Sequence, residues 1–342
     1  MKAATFVLIV LVSAGIAFYF FSQTLKITII NPLASEKKIV EKSLEKYSFA
    51  RLRKTTFSES KIIIGDVIKE DPDFTSRMFF FHDGNKKVSG LMNIPKKEGT
   101  FPVIVMNRGF VEKEKFTSGE GTRRTAEEFA KNGFITLAPD FLGYGESDMP
   151  STSVMEERFQ TYTMVLSLLA SLQTLQKGLE DQSITQKANL TKIGLWGHSN
   201  GGHITLAILA ITGKSYPTVL WAPVSKPFPY SILYYTDEYD DHGKALRKVT
   251  SDFEKDYDAE KYSVTNYFKW IKGPIQLHQG LGDEALPYRW SDILNQTLKA
   301  DAIDISYFTY PSENHNFNNG SWNLAVLRSI AFYTEQFAKL SE

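Results

Sequence analysis

A serine within Gly197-His198-Ser199-Asn200-Gly201 is the strongest candidate for chemistry in this sequence. A strand-like segment, 192–196, precedes the pentapeptide, and a helix-like segment, 202–210, follows it. A sharp strand–turn–helix junction with this G-x-S-x-G pattern places a serine hydroxyl at the rim of a parallel sheet. Glycine is needed on either side, because a Cβ there would collide with the neighbouring strand and helix. The pattern therefore predicts that Ser199 is a nucleophile.

A serine nucleophile needs a base, and the base needs an acid that orients it. On a sheet of this kind the chain order is serine, acid, histidine. Asp283 follows the predicted strand 275–278, and His315 follows the predicted strand 304–310. The carboxyl ends of parallel strands meet at one edge, where such sheets bind ligands. We therefore predict a Ser199, Asp283, His315 triad.

Other acids and histidines compete for these roles. Glu284 is the main alternative acid, because it is adjacent to Asp283; Asp292 lies inside a predicted helix, and Glu313 is only two residues from His315. His198 and His278 are interpreted as packing residues. A second Gly-x-Ser, at Ser147, lacks the strand–turn–helix context.

Hydrolysis through a serine also requires donors for the oxyanion. We predict the backbone N–H of Asn200 as the first donor and that of Phe110, after the strand 102–106, as the second. Arg108 has three open interpretations: it holds this loop, binds a substrate carboxylate, or pairs with a nearby acid.

Composition narrows the class of protein. Lys plus Arg and Asp plus Glu both number 39 among 342 residues, so no basic excess favours nucleic-acid binding. The absence of cysteine excludes disulfides and thiolate chemistry. The sequence shows no convincing metal-ligand cluster.

The elements that must position these residues alternate between strands and helices. This alternation predicts an α/β fold with a mostly parallel, doubly wound sheet of about eight strands. The interval 224–270 interrupts the alternation and is interpreted either as a small helical cap or as a surface excursion. We expect a tether with a leading strand at 26–76 and the catalytic domain at 77–342.

The first 25 residues have the pattern of a targeting segment. Lys2 precedes an uncharged run that extends from Ala3 to Leu25, which is long enough to span a bilayer. We predict an N-terminal membrane anchor with an extracytoplasmic catalytic domain; the alternative is a cleaved signal peptide and a secreted enzyme.

Several motifs together resemble the α/β-hydrolase superfamily, and within it the prolyl-oligopeptidase-like and dienelactone-hydrolase-like group. They are Val88-Ser89-Gly90-Leu91, Pro139-Asp140 with its Gly-Tyr-Gly-Glu-Ser-Asp continuation, Gly-His-Ser-Asn-Gly-Gly, Gly-Leu-Gly-Asp-Glu-Ala-Leu-Pro, and the His315 loop. The resemblance covers about residues 77–342 and implies a cofactor-free serine hydrolase that forms an acyl-enzyme on Ser199. Two features depart from the group: the loop Asn107-Arg108-Gly109-Phe110 replaces the usual oxyanion motif, and too few residues precede Arg77 to form a β-propeller.

The expected substrate is a short peptide or a small ester, with a peptidase as the first hypothesis and a carboxylesterase as the second. An acyltransferase would use the same residues, and a non-catalytic binding protein on the same fold is a further alternative. The sequence leaves the oligomeric state open.

Overall fold

The computed structural model describes residues 42–236 and 239–340, and from Ser43 onward the chain forms one compact unit. A nine-stranded sheet has the order β1-β2-β3-β5-β4-β6-β7-β8-β9. The first four strands in this order pair antiparallel, and those from β5 to β9 pair parallel. The strands are β1 Ile63–Glu70, β2 Phe74–Asp83, β3 Lys86–Pro95, β4 Thr100–Asn107, β5 Ile135–Pro139, β6 Lys187–His198, β7 Thr218–Trp221, β8 Ile275–Gly280 and β9 Ile305–Tyr310.

Helices cover both faces of this sheet. They are α1 Phe49–Leu52, α2 Arg123–Lys131, α3 Val154–Ser171, α4 Leu175–Asp181, α5 Asn200–Thr212, α6 Tyr230–Leu233, α7 Lys244–Asp256, α8 Arg289–Ala300 and α9 Trp322–Lys339. Buried side chains of α2 and α9 belong to one core cluster, and those of α3, α5 and α8 belong to the other. The predicted doubly wound α/β architecture is thus confirmed.

Strand β4 shows why a continuous apolar run forms a central strand. Val103 and Val105 belong to one core cluster, whereas Ile104 and Met106 belong to the cluster on the other face. Successive side chains of a strand point to opposite faces, so a strand covered by helices on both sides must be apolar at every position.

The compact unit begins earlier than the predicted boundary at residue 77. Tyr47, Phe49 and Leu52 are buried in the main core, and β1 adds a ninth strand at the edge of the sheet. The described part of the predicted tether, 43–76, is therefore folded with the sheet. Its apolar residues are few and separated by charges, and this spacing hid their contribution to the core.

The helical segment that follows β5 is divided in two. A short 3₁₀ turn, Leu172–Thr174, separates α3 from α4. Gly178 lies inside α4, where a Cβ would come within 2.6 Å of the Ile62 carbonyl oxygen. Glycine is needed here because another backbone segment comes close, and not because a helix ends here.

The interval 224–270 is helical. It contains α6, α7 and two 3₁₀ segments, Ala259–Tyr262 and Val264–Trp270. Tyr262 stacks with Phe159 of α3, Phe253 packs against the same ring at a tilt, and both join the main core. Among residues 42–236 and 239–340, no helix is both long and apolar enough to cross a membrane. The predicted anchor, 1–25, lies outside these residues and stays a prediction.

Candidate active site

Ser199 occupies a strained turn between β6 and α5. Its φ of 55° and ψ of −122° lie in a region that non-glycine residues rarely adopt. A Cβ on Gly201 would lie 1.9 Å from the Asn107 carbonyl oxygen, and one on Gly197 would lie 2.4 Å from Thr205 Oγ1. The chain can turn this sharply only because both positions are glycine, as the sequence predicted.

Asp283 and His315 form a hydrogen-bonded pair at the carboxyl ends of β8 and β9. His315 Nδ1 lies 3.0 Å from Asp283 Oδ1 and 2.9 Å from Oδ2. The carboxylate also accepts from the amide N–H groups of Ala285 and Leu286 and from Gln279 Nε2. An ionised carboxylate only accepts, so Nδ1 carries the proton and Nε2 is the basic nitrogen.

These contacts hold Asp283 in its charged form. Burial by itself raises the pKa of a carboxyl group, but the hydrogen bonds from His315, the Leu286 amide and Gln279 outweigh it and lower the pKa of Asp283.

The alternative acids have other partners. Glu284 Oε2 accepts from the backbone N–H of His315 at 3.2 Å, so it contacts the main chain and not the ring. Asp292 accepts from the Tyr307 hydroxyl. Glu313 accepts from the amides of Asn319 and Ser321 before α9. Of these four acids, Asp283 is the one that orients the His315 ring.

His198 links the serine turn to the His315 loop. Its Nε2 lies 3.0 Å from the His315 carbonyl oxygen, and the two rings are 4.7 Å apart. Burial, with a smaller contribution from His315, lowers the pKa of His198 to about 3. His198 is therefore neutral at physiological pH and donates an N–H to the backbone of His315.

The loop after β4 packs against Ser199. A Cβ on Gly109 would lie 3.0 Å from Ser199 Cβ and 3.5 Å from its Oγ. Among the described residues, neither the Phe110 nor the Asn200 amide N–H has a hydrogen-bond acceptor, and the Ser199 hydroxyl makes no hydrogen bond. The two amides predicted as oxyanion donors thus lie next to Ser199 in sequence or in space and are unpaired.

Arg108 holds this loop in place. Its guanidinium donates to the carbonyl oxygens of Gly109 and Asp140 at 2.9 Å and lies 4.0 Å from the centroid of the Tyr144 ring. Its partners are carbonyls and aromatic rings, so the first of its three predicted roles is the one observed. The Asp140 carboxylate is itself buried and accepts from the hydroxyls of Ser89 and Ser118, which anchors the far end of the loop.

A cavity of about 200 Å³ opens beside Phe110 and Asn200. Arg158 of α3 lines it, and the buried Nε of this guanidinium has no partner in the described part of the chain. Burial lowers the pKa of Arg158, yet an arginine remains charged in proteins. Glu157, which also lines the cavity, lies 3.4 Å from Lys113, and Arg158 forms no ion pair among the described residues.

His203 supports the same cavity from α5. Its Nδ1–H donates to the Val224 carbonyl oxygen, and its Nε2 accepts from the Tyr162 hydroxyl. The Val224 amide in turn donates to the Ser199 carbonyl oxygen at 3.0 Å. Two features were not predicted from the sequence, the role of His203 and the unpaired Arg158, because a single histidine or arginine on a helix carries no pattern.

No group of three or more His, Asp or Glu side chains in residues 42–236 and 239–340 is arranged to hold a metal ion.

Two family models match the chain. The prolyl oligopeptidase family matches residues 173–340, and the chlorophyllase family matches residues 83–219. The chain belongs to the α/β-hydrolase superfamily. The first match contains the Ser199, Asp283 and His315 loops, and the second contains the Phe110 loop.

Relatives of this α/β-hydrolase include two enzymes. A probable dipeptidyl peptidase 4 of Aspergillus flavus is 31% identical over 141 residues, which are 38% of this chain and 17% of that relative's length. A putative carboxymethylenebutenolidase of Synechocystis is 21% identical over 262 residues, 72% of this chain and 87% of the relative.

Among solved structures, acetyl xylan esterase 1 of Thermoanaerobacterium has the same fold, with a TM-score of 0.53. It is 17% identical, and the match covers 85% of this chain and 93% of the esterase. The class predicted from the sequence, a serine hydrolase of peptidase or esterase type, is the class of these matched proteins.

Proposed function

We propose that this α/β-hydrolase cleaves a peptide or ester bond through an acyl-enzyme on Ser199. The observation that carries the proposal is the Asp283–His315 pair at the rim where the strained Ser199 turn lies. The pair supplies an oriented base, and the turn supplies an exposed hydroxyl.

The reaction follows from these positions. His315 Nε2 takes the proton of Ser199 Oγ while Oγ attacks the substrate carbonyl carbon. The resulting oxyanion accepts hydrogen bonds from the unpaired N–H groups of Phe110 and Asn200. His315 then gives its proton to the departing nitrogen or oxygen, and water, activated by the same Nε2, hydrolyses the acyl-enzyme. Asp283 stays ionised throughout and stabilises the imidazolium.

The cavity beside the oxyanion donors receives the acyl part of the substrate. Its Arg158 guanidinium regains solvation only from an acceptor, so a carbonyl or carboxylate on the acyl group is favoured over an all-apolar chain. This supports a short peptide or a small functionalised ester as substrate, with a peptidase first and a carboxylesterase as the alternative. An acyltransferase differs only in the acceptor that replaces water.

A fluorophosphonate probe followed by peptide and ester screens tests the proposal. The wild type should react with the probe and hydrolyse a substrate. Ser199→Ala should not react with the probe, and its kcat should be lower by a factor of about 10³–10⁶. Ser147→Ala is the matched control, because Ser147, like Ser199, follows a Gly-x pair but lies in a different loop. Circular dichroism shows that each variant is folded. Turnover by a folded Ser199→Ala protein at the wild-type rate would refute the assignment.

We also propose that residues 1–25 anchor the enzyme in a membrane, with the catalytic domain on the extracytoplasmic side. The uncharged run of membrane-spanning length supports this. Full-length protein should pellet with membranes, and a variant lacking 1–25 should be soluble and active. Protease added to intact cells should digest the domain. Release of a shortened, soluble protein would establish the secreted alternative instead.

A further inference from the structure

A second cavity, of about 550 Å³, shares no lining residue with the first. Its walls come from the start of α2, from the loop after His315 and from Trp322 of α9. Trp196, Trp221 and His198 also line it. Trp196 and Trp221 belong to the core cluster covered by α2 and α9, so this cavity lies on the other face of the sheet from Arg158.

The N-terminus of α2 points positive charge at this cavity. The helix has nine residues, its N-cap Thr122 makes no side-chain cap, and its first turn contains no acid. The amide N–H groups of Arg124 and Thr125 have no acceptor within residues 42–236 and 239–340. Unpaired N–H groups and the helix dipole together favour an anion at such an end.

Arg124 adds a fixed cation with free donors. Its guanidinium lies 3.7 Å from the Trp322 ring centroid and, in the part of the chain that the structure describes, makes no hydrogen bond and no ion pair. Stacking holds the planar group and leaves its N–H donors available for a bidentate contact with a carboxylate.

The other charged groups of the cavity leave this cation uncompensated. Arg123 donates to Thr117 Oγ1 and to the Ser118 carbonyl oxygen, and Lys69 pairs with Glu127 at 2.7 Å. Glu120, exposed at the mouth, is the remaining acid, so the charged residues that line the cavity are three cations and two acids.

A buried donor points independently to a missing acceptor. Trp196 is 1% exposed, lines the cavity, and its indole Nε1–H has no partner. The neighbouring Trp221 has one, because its Nε1 donates to Ser329 Oγ. A buried N–H without an acceptor is unfavourable, and a ligand oxygen would satisfy it.

We propose that this cavity is an anion-binding subsite for a carboxylate on the leaving group of the substrate. His198 and Asn316, on its walls, are chain neighbours of Ser199 and His315, and His198 holds the His315 backbone. His315 delivers the proton to the leaving group, and its neighbour Asn316 lines the cavity, so we place the leaving group on this side. The inference rests on the proposed hydrolase function. It specifies the chemistry of the leaving group, which lies on the opposite side of the scissile bond from the acyl cavity.

A matched ester pair tests the subsite. The acyl group best accepted in the ester screen is attached to 3-hydroxybenzoate or to the neutral 3-hydroxybenzamide. The wild type should show a kcat/KM about tenfold higher for the carboxylate ester, as one charge-assisted contact supplies, and the preference should shrink in 0.5 M salt. Arg124→Gln should reduce the ratio to about one, and Arg124→Lys should retain part of it.

Lys131→Gln is the control, because it removes a cation from the other end of α2. It should leave the ratio at the wild-type value. Equal kcat/KM for the two esters in the wild type, or an unchanged preference in Arg124→Gln, would overturn the proposal while leaving the hydrolase function intact.

A binding measurement separates failure of the subsite from failure of the hydrolase function. Calorimetry with folded Ser199→Ala protein should show that 3-hydroxybenzoate binds more tightly than 3-hydroxybenzamide, and that Arg124→Gln in that background removes the difference. Inorganic phosphate should compete if the site recognises any small anion and should not compete if it requires the planar carboxylate. If no ester is hydrolysed but this binding pattern holds, the subsite stands without the proposed reaction. Absence of binding overturns the subsite.

Discussion

His198 donates its Nε2–H to the backbone carbonyl oxygen of His315 across 3.0 Å, which joins the residue before the proposed nucleophile to the proposed base. The relationship fixes the backbone of the His315 loop, while Asp283 fixes the ring. The serine turn and the histidine loop, 116 residues apart in sequence, are thereby held in one arrangement.

Removing this donor should misplace the base. We expect His198→Phe to reduce kcat about tenfold, since a lost buried hydrogen bond costs about 1 kcal/mol or more, with a smaller effect on KM. His198→Gln keeps an N–H donor and should recover most of the rate. If the Phe and Gln variants are equally impaired, His198 acts through packing and not through this hydrogen bond.

Activity should fall on acidification. A protonated His315 Nε2 cannot accept the Ser199 proton, and His198, whose pKa is about 3, stays neutral throughout the neutral range. A plot of log kcat/KM against pH should therefore rise with a slope of one. A slope of two would show that a second histidine titrates with the base.

Asp283→Asn should be far more damaging than Glu284→Gln. An amide at 283 would favour the wrong tautomer of His315, a change that lowers kcat about 10⁴-fold in a serine protease triad. Glu284 accepts only a backbone N–H, and a glutamine can still do so, giving a loss below about tenfold. Steady-state kinetics on both folded variants decide this, and the reverse order would transfer the role of the acid to Glu284.

Acid should destabilise the fold through the buried His203 and His278 and the half-buried His198. Burial lowers the pKa of His198, His203 and His278 to about 3, below the ordinary 6.5 of an unfolded chain. Their contribution to stability is complete above about pH 6.5 and is lost as the pH falls toward 3, because only the unfolded state then takes up protons. Three such groups give a slope of about 4 kcal/mol per pH unit in this range.

Urea unfolding at pH 7.5, 6.0 and 5.0 measures this slope. His278→Gln should reduce it by about a third, whereas His82→Gln, at an exposed position, should leave it unchanged. A free energy of unfolding that stays constant from pH 7.5 to 5.0 would contradict the prediction.

Arg158→Gln should change which acyl groups are accepted. Loss of the unpaired guanidinium removes the partner for a carboxylate, so kcat/KM for succinyl esters should fall about tenfold or more relative to butyryl esters. Lys177→Gln, which removes an exposed cation outside the cavity, is the control. An unchanged succinyl-to-butyryl ratio would show that Arg158 does not face the acyl group.

Local features of the site could be predicted from the sequence. Glycines at 197 and 201 mark a turn that no other residue tolerates, and the apolar runs of β4, β5 and β7 mark strands buried on both faces. Asp283 and His315 could be named because each follows a predicted strand, and parallel strands end at the same edge. These are short-range patterns, and steric and hydrophobic rules are sufficient to interpret them.

The relationships between distant segments follow only from the folded structure. Arg108 lies against carbonyls and a ring, Glu284 contacts the main chain of His315, and residues 43–76 pack onto the sheet. Among the described residues, Arg158 and Arg124 form no ion pair. Whether a charge is paired, or an apolar residue buried, depends on which segments meet it in space. No periodicity along the chain encodes those meetings, because each is set by the packing of the whole sheet and its helices.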